Sequence, residues 1–277
     1  MRAFLAGLAI ALLPVLGAAE NSRLQSLDTT DTGRAWEAVG RLDINGAGFC
    51  TGTLIAPDLV LTAAHCLYDK RTGRRIDPAA MEFRAGWRNG RASAYRRVRQ
   101  AVAHPGYVYD GAVSADRVRH DVALLELDRP VRNTTVLPFT IAGQPRRGAR
   151  VGVVSYAKGR AEAPSLQRVC DVMARQQGVV VMSCDVDFGS SGAPVFSFDG
   201  GVPRIVSVVS AKAEMRGARV ALGSEIEGQI ALLQAQLSSG RSHAVIAAPG
   251  ANRVRVNGAR NRTGARFIRV KPAGSGG

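Results

Sequence analysis

From Val39 to Val209 the sequence is cut into short apolar or alternating runs by Gly, Pro, Asn and Asp. Examples are Thr53-Leu54-Ile55, Leu59-Val60-Leu61-Thr62, Val122-Ala123-Leu124-Leu125 and Ile205-Val206-Ser207-Val208-Val209. Runs of this length with turn residues between them are strands. No helical periodicity intervenes, so neighbouring strands must pair directly, which predicts an all-β barrel or sandwich rather than an α/β sheet. One helix is expected, late in the chain. Ser224-Glu225-Ile226-Glu227 has the form of a capping box, and Ile226, Ile230, Leu233 and Leu237 recur at helical spacing as far as Gly240.

The two ends differ from this middle. Residues 1–19 open on Met1-Arg2, run through Leu, Ala, Ile and Val, and close on Gly17-Ala18-Ala19. That order is expected of a signal peptide. Its apolar run is broken by Pro14 and falls short of the roughly 20 residues that a membrane span needs. No later stretch is suited to spanning a bilayer, so the chain is expected to be secreted or periplasmic. There cysteines are oxidised, and the four present form two local pairs, Cys50 with Cys66 and Cys170 with Cys184. Neither pair has C-x-x-C spacing, and only His65 adjoins a cysteine, so disulfides are expected and a metal or other cofactor is not.

The formal charge is +15, and residues 241–277 hold 8 basic side chains and no acid. This Gly-, Arg-, Asn- and Ala-rich stretch is expected to be a mostly flexible basic extension, suited to an anionic envelope polymer. Within it Arg253-Val254-Arg255-Val256 and Arg266-Phe267-Ile268-Arg269-Val270 carry a faint hairpin pattern. The Arg clusters near Arg71 to Arg75 and Arg84 to Arg99 lack the interleaved aromatics of a single-strand platform, so no specific nucleic-acid partner is expected.

Acyl transfer to water needs a nucleophilic hydroxyl, a base for its proton, an acid to orient that base, and donors for the oxyanion. Three strings supply those residue types. In Leu61-Thr62-Ala63-Ala64-His65-Cys66 an apolar strand runs into a histidine whose neighbouring cysteine is able to bridge back to Cys50. In His120-Asp121-Val122-Ala123-Leu124-Leu125-Glu126-Leu127 an acid stands at the mouth of a strand. In Gly189-Ser190-Ser191-Gly192-Ala193-Pro194-Val195 a glycine-flanked serine enters another.

Together these strings resemble the motifs of trypsin-like serine peptidases, over about Ala38 to Gly240 and in the order His, Asp, Ser. The resemblance implies two six-stranded antiparallel β-barrels of the chymotrypsin fold with a C-terminal helix. It also implies His65, Asp121 and Ser191 as a catalytic triad, the amides of Gly189 and Ser191 as an oxyanion hole, and a protein or peptide substrate. Val102-Ala103-His104-Pro105-Gly106-Tyr107 resembles the segment that precedes the family's acid, which makes His104 structural.

The chain departs from the animal trypsins in several places. Ser190 stands where they carry an aspartate that receives a new amino terminus, and no Ile-Val-Gly-Gly string is present, so activation by that ion pair is not expected. Ser190, the short Asp121 to Ser191 interval and Phe83-Arg84-Ala85-Gly86-Trp87 are more similar to the bacterial glutamyl-endopeptidase-like branch. Asp185 falls at the position of the trypsin pocket acid. Ser207-Val208-Val209 resembles the substrate-binding strand, with Val209 in place of a pocket glycine and without the histidine of glutamate-specific members.

The expected organisation is a signal peptide at 1–19, an N-terminal segment or propeptide at 20–37, the peptidase domain at 38–240 as a monomer, and the basic extension at 241–277. The expected function is peptide-bond hydrolysis by a secreted serine endopeptidase. The alternative is a catalytically weak or inactive binding module on the same fold, which holds anionic partners through its Arg-rich surface and tail.

Overall fold

The computed structural model describes residues 23–46, 48–110, 113–240 and the backbone of a strand at 265–267. The signal-peptide expectation, and that for the basic extension apart from this strand, lie outside the described residues.

Fourteen strands occur in chain order among the described residues. They are β1 (Gln25–Ser26), β2 (Val39–Ile44), β3 (Gly48–Ala56), β4 (Leu59–Thr62), β5 (Met81–Ala85), β6 (Ala94–Ala103), β7 (Ala123–Leu127), β8 (Arg150–Ala157), β9 (Arg160–Gln176), β10 (Val179–Met182), β11 (Pro194–Ser197), β12 (Arg204–Met215), β13 (Ala218–Glu225) and β14 (Ala265–Phe267). Strands β2 to β7 close an antiparallel barrel in the order β2-β3-β4-β7-β6-β5. Strands β8 to β13 form a second, β9-β10-β13-β12-β11-β8, closed by pairing of β8 with β9. Closure removes the free edges that an open sheet would expose. The all-β expectation and the two six-stranded barrels are therefore borne out.

Two additions decorate the second barrel. β1 pairs with β9 through Gln25 and Leu166, and β14 pairs with β12 through Phe267 and Ala213. Arg266 and Phe267 of the supposed tail hairpin thus pair with the second barrel, while residues 253–256 and 268–270 are outside the described residues. Three α-helices occur among the described residues: α1 (Thr30–Gly33), α2 (Ala115–Arg119) and α3 (Gln229–Ser238). None of the described helices is long and apolar enough to cross a membrane.

The late helix forms, but not from a capping box. Ser224 and Glu225 still belong to β13, and α3 starts after Gly228, which has no side chain with which to cap it. The Ser224 hydroxyl is buried and donates instead to the Val118 carbonyl at 2.5 Å. What fixes α3 is its apolar side: Leu233 is buried, and Ile230 and Leu237 pack against the cluster that fills the first barrel. That cluster continues across the seam between barrels to Tyr156, Phe196 and Ile205. A second cluster around Val153, Val180, Val195 and Val206 fills the second barrel.

The packed body begins upstream of Ala38. Leu27 and Trp36 are buried, and the Leu27 amide donates to the Pro164 carbonyl. The Trp36 ring stacks on Phe139 and meets Phe196 at a centroid distance of 5.2 Å.

Candidate active site

Strand β4 ends in a single 3-10 turn, Ala64–Leu67, which carries His65 to the seam between the barrels. The Cys50–Cys66 disulfide ties this turn to β3. Asp121 lies between α2 and β7 and is only 2% exposed. A buried carboxylate persists only with partners, and this one has three. Oδ1 accepts from the His65 amide at 2.8 Å, while Oδ2 faces His65 Nδ1 at 2.7 Å and accepts from the Ser210 hydroxyl at 2.5 Å. The histidine is thereby held by its backbone and its ring at once. With Nδ1 engaged, Nε2 is the nitrogen left for a substrate-side partner.

Ser191 is presented by a loop seated between the barrels. The Ser191 carbonyl accepts from the Thr51 amide at 2.8 Å, and the Gly192 amide donates to the Val209 carbonyl at 2.8 Å. Gly192 has φ +79°, and a Cβ there would lie 2.1 Å from Thr62 Oγ1 and 2.9 Å from the Ala63 nitrogen. Only glycine allows the serine loop this close to the segment that carries His65. Gly189 has φ +99°, and a Cβ on it would strike the Phe49 ring at 2.4 Å.

Carbonyls around the loop are taken by outside donors: Phe188 by the Lys158 amide at 2.7 Å, and Gly189 by Thr51 Oγ1 at 2.8 Å. The amides of Ser190, Gly192 and Ala193 have backbone acceptors. Those of Gly189 and Ser191 have none among the described residues. This pattern leaves two N–H groups of one loop free to receive a ligand oxygen.

Beside the loop opens a pocket of about 500 Å3. One wall is Ser183, Cys184, Asp185 and Phe188, and the other is Lys212, Ala213 and Arg219. The Cys170–Cys184 disulfide links the first wall to β9. Lys212 Nζ sits 2.7 Å from Asp187 Oδ1 and 4.3 Å from the Phe188 ring centre. That hydrogen bond holds the Asp187 carboxyl below the usual carboxylate range.

Asp185 is among the residues that line this pocket, but Ser207 and Val209 are not. Both are buried within the second barrel, and Ser207 Oγ donates to the Ser224 carbonyl at 2.8 Å. The cause is a β-bulge. In the pairing of β12 with β13, Val209 faces Gly223 and Ala211 faces Leu222, so Ser210 is the extra residue. A bulge re-aims the side chain it inserts, and here it turns Ser210 toward Asp121. The strand meets Asp121 at Ser210 and lines the pocket at Lys212 and Ala213. Ser210 is not legible in the sequence because Ser207-Val208-Val209-Ser210 holds two serines, and alternation cannot tell which one forms a bulge.

Cys50, His65 and Cys66 bring potential ligand atoms within 4.8 Å of one another, but both sulfurs belong to the disulfide and no thiolate is available.

Residues 50–203 match the family described as Trypsin-like peptidase domain. Human "Serine protease 23" is 28% identical over 164 residues, covering 53% of this chain and 42% of that protein. "Glutamyl endopeptidase" of Bacillus licheniformis is 24% identical over 183 residues, covering 66% of this chain and 54% of that protein. The chain thus spans about half the length of the curated relatives it matches. Among solved structures, a Glu endopeptidase in complex with MPD superposes with a TM-score of 0.64 at 18% identity, over 78% of this chain and 96% of that one. The chain belongs to the trypsin-like peptidase family, in the two-barrel chymotrypsin fold that the glutamyl endopeptidases share.

Proposed function

We propose that the chain is a secreted serine endopeptidase that hydrolyses protein or peptide substrates through an acyl-enzyme. Ser191 Oγ attacks the scissile carbonyl carbon while His65 Nε2 takes its proton, and the carbonyl oxygen becomes an oxyanion held by the amides of Gly189 and Ser191. As the C–N bond breaks, the imidazolium returns the proton to the leaving amine. Water then attacks the acyl ester with His65 again as base, releasing the carboxylic acid and restoring the serine. Asp121 fixes the tautomer and offsets the charge on the ring. No step calls for a metal or other cofactor.

The single observation that supports this reading best is the His65–Asp121 pair at 2.7 Å, with the Ser191 loop packed on the Ala63 end of the same turn. Two disulfides suit an oxidising compartment. For specificity the pocket offers Asp185, Lys212 and Arg219, charges of both signs, with Asp185 as the expected contact for a basic side chain.

The test is exposure of the purified chain to a serine-directed phosphonofluoridate and to a peptide mixture. The wild type is expected to be labelled and to cleave, and Ser191→Ala to lose labelling and about 10^4-fold or more of kcat/KM. Undiminished cleavage by Ser191→Ala would overturn the assignment. A wild type that neither labels nor cleaves, yet binds an anionic polymer, would favour the binding-module alternative.

A further inference from the structure

Trypsins hold the loop before the nucleophile with an aspartate and a new amino terminus; in this chain that aspartate is replaced by Ser190. Ser190 is fully buried, and its hydroxyl has four neighbours within hydrogen-bond reach. It is close to Ser155 Oγ at 3.2 Å and the Tyr156 carbonyl at 3.3 Å, and it accepts from the Asp187 amide at 3.3 Å and from an Arg160 guanidinium nitrogen at 3.3 Å. Arg160 opens β9, two residues beyond the Lys158 amide that binds the Phe188 carbonyl. Its other terminal nitrogen donates to the Ser155 carbonyl and to Ser155 Oγ.

We propose that Arg160 is the positioning residue for the oxyanion loop, holding it in working form from inside the second barrel where trypsins use an amino-terminal ion pair. The proposal rests on the catalytic reading of Ser191 given above. Its support is geometric. The guanidinium spans Ser155 on β8 and Ser190 in the loop, so it fixes the residue that lies between Gly189 and Ser191, whose amides have no backbone acceptor among the described residues.

Its charge fits the place as well. Burial draws the Arg160 pKa down, and Asp185 and Asp187 work against that shift, so the cation is balanced by acids of the very segment it holds. An arginine is suited to this because its planar fork serves two acceptors at once, which a lysine ammonium on a flexible stem does less well.

An oxyanion hole acts in the transition state and not in substrate binding, so displacing the loop lowers kcat and leaves KM nearly alone. The experiment measures kcat, KM and the rate of phosphonofluoridate labelling for wild type, Arg160→Lys, Arg160→Met and Ser190→Ala, with thermal unfolding alongside. Arg160→Met is expected to lose about tenfold or more in kcat and in labelling rate, with KM within about twofold. Partial recovery in millimolar guanidinium is expected for Arg160→Met, with Arg160→Lys intermediate.

A folded Arg160→Met that labels as fast as wild type overturns the proposal while leaving Ser191 in its role. A wild type that does not label overturns both. Should Arg160→Met fail to fold, Ser190→Ala decides, because it removes the Arg160 acceptor in the loop and leaves the contacts between Arg160 and Ser155. A several-fold fall in its kcat supports the proposal, and unchanged kcat overturns it.

Discussion

Ser210 and His65 share one carboxylate oxygen of Asp121, and this makes the serine more than a strand residue. With Ser210→Ala, Oδ2 keeps only the ring nitrogen, and the carboxylate gains freedom to turn. A hydrogen bond to a charged group contributes about 1.5–3 kcal/mol, so kcat is expected to fall about tenfold or more with KM little changed, read from steady-state kinetics on a peptide ester. A fall of less than twofold would deny Ser210 a role in holding the pair. At this scale the sequence was informative where chemistry imposes a local string, as around His65, Asp121 and Ser191. It was silent on Ser210 and Arg160, whose roles depend on a bulge and on a turn that folds across the barrel.

Among the elements, strands were legible because alternating or fully apolar runs have few other folds open to them, whereas the start of α3 was not. Ser224 resembles a cap in sequence, yet the pairing of Ser224 with Val179 and Val208 extends β13 past it. A tertiary pairing thus overrides a local capping preference. The segment before Asp121 shows another such contact, for the rings of His104 and His120 stack at 4.6 Å with 9° between their planes. His104 Nδ1 accepts from the Gly106 amide at 3.1 Å. Burial, then the neighbouring His120 and Arg119, pulls the His104 pKa from 6.5 to about 4. His120 is also lowered by burial and Arg119, with Asp116 opposing.

A histidine whose folded pKa is depressed resists a proton that the unfolded chain accepts. Its contribution is therefore complete above pH 6.5 and is lost as pH falls from 6.5 to about 4. Chemical denaturation at pH 7 and pH 5 is expected to show lower stability at pH 5, with a smaller difference in His104→Gln. An equal difference in the variant would place the acid sensitivity elsewhere.

On the scale of the whole molecule, residues 25–37 run along the second barrel through β1 and Trp36 before the chain enters the first barrel at β2. Trp36→Ala is expected to cost about 3–5 kcal/mol, the usual loss for a large aromatic cut from a core, measured by denaturant unfolding. A loss under about 1 kcal/mol would show that the segment merely lies on the surface. The groups of the proposed site come from both barrels, His65 and Asp121 from the first and Ser191 and Ser210 from the second, so that site requires the two to be docked. An oxyanion loop secured by Arg160 and Ser190 also changes the timing of competence. A peptidase that waits for a cut can be stored intact, whereas one whose loop is locked from within becomes active as it folds. Under the proposed function, restraint on such an enzyme falls to where and when folding finishes, and the Cys50–Cys66 disulfide beside His65 ties that moment to oxidation of the chain.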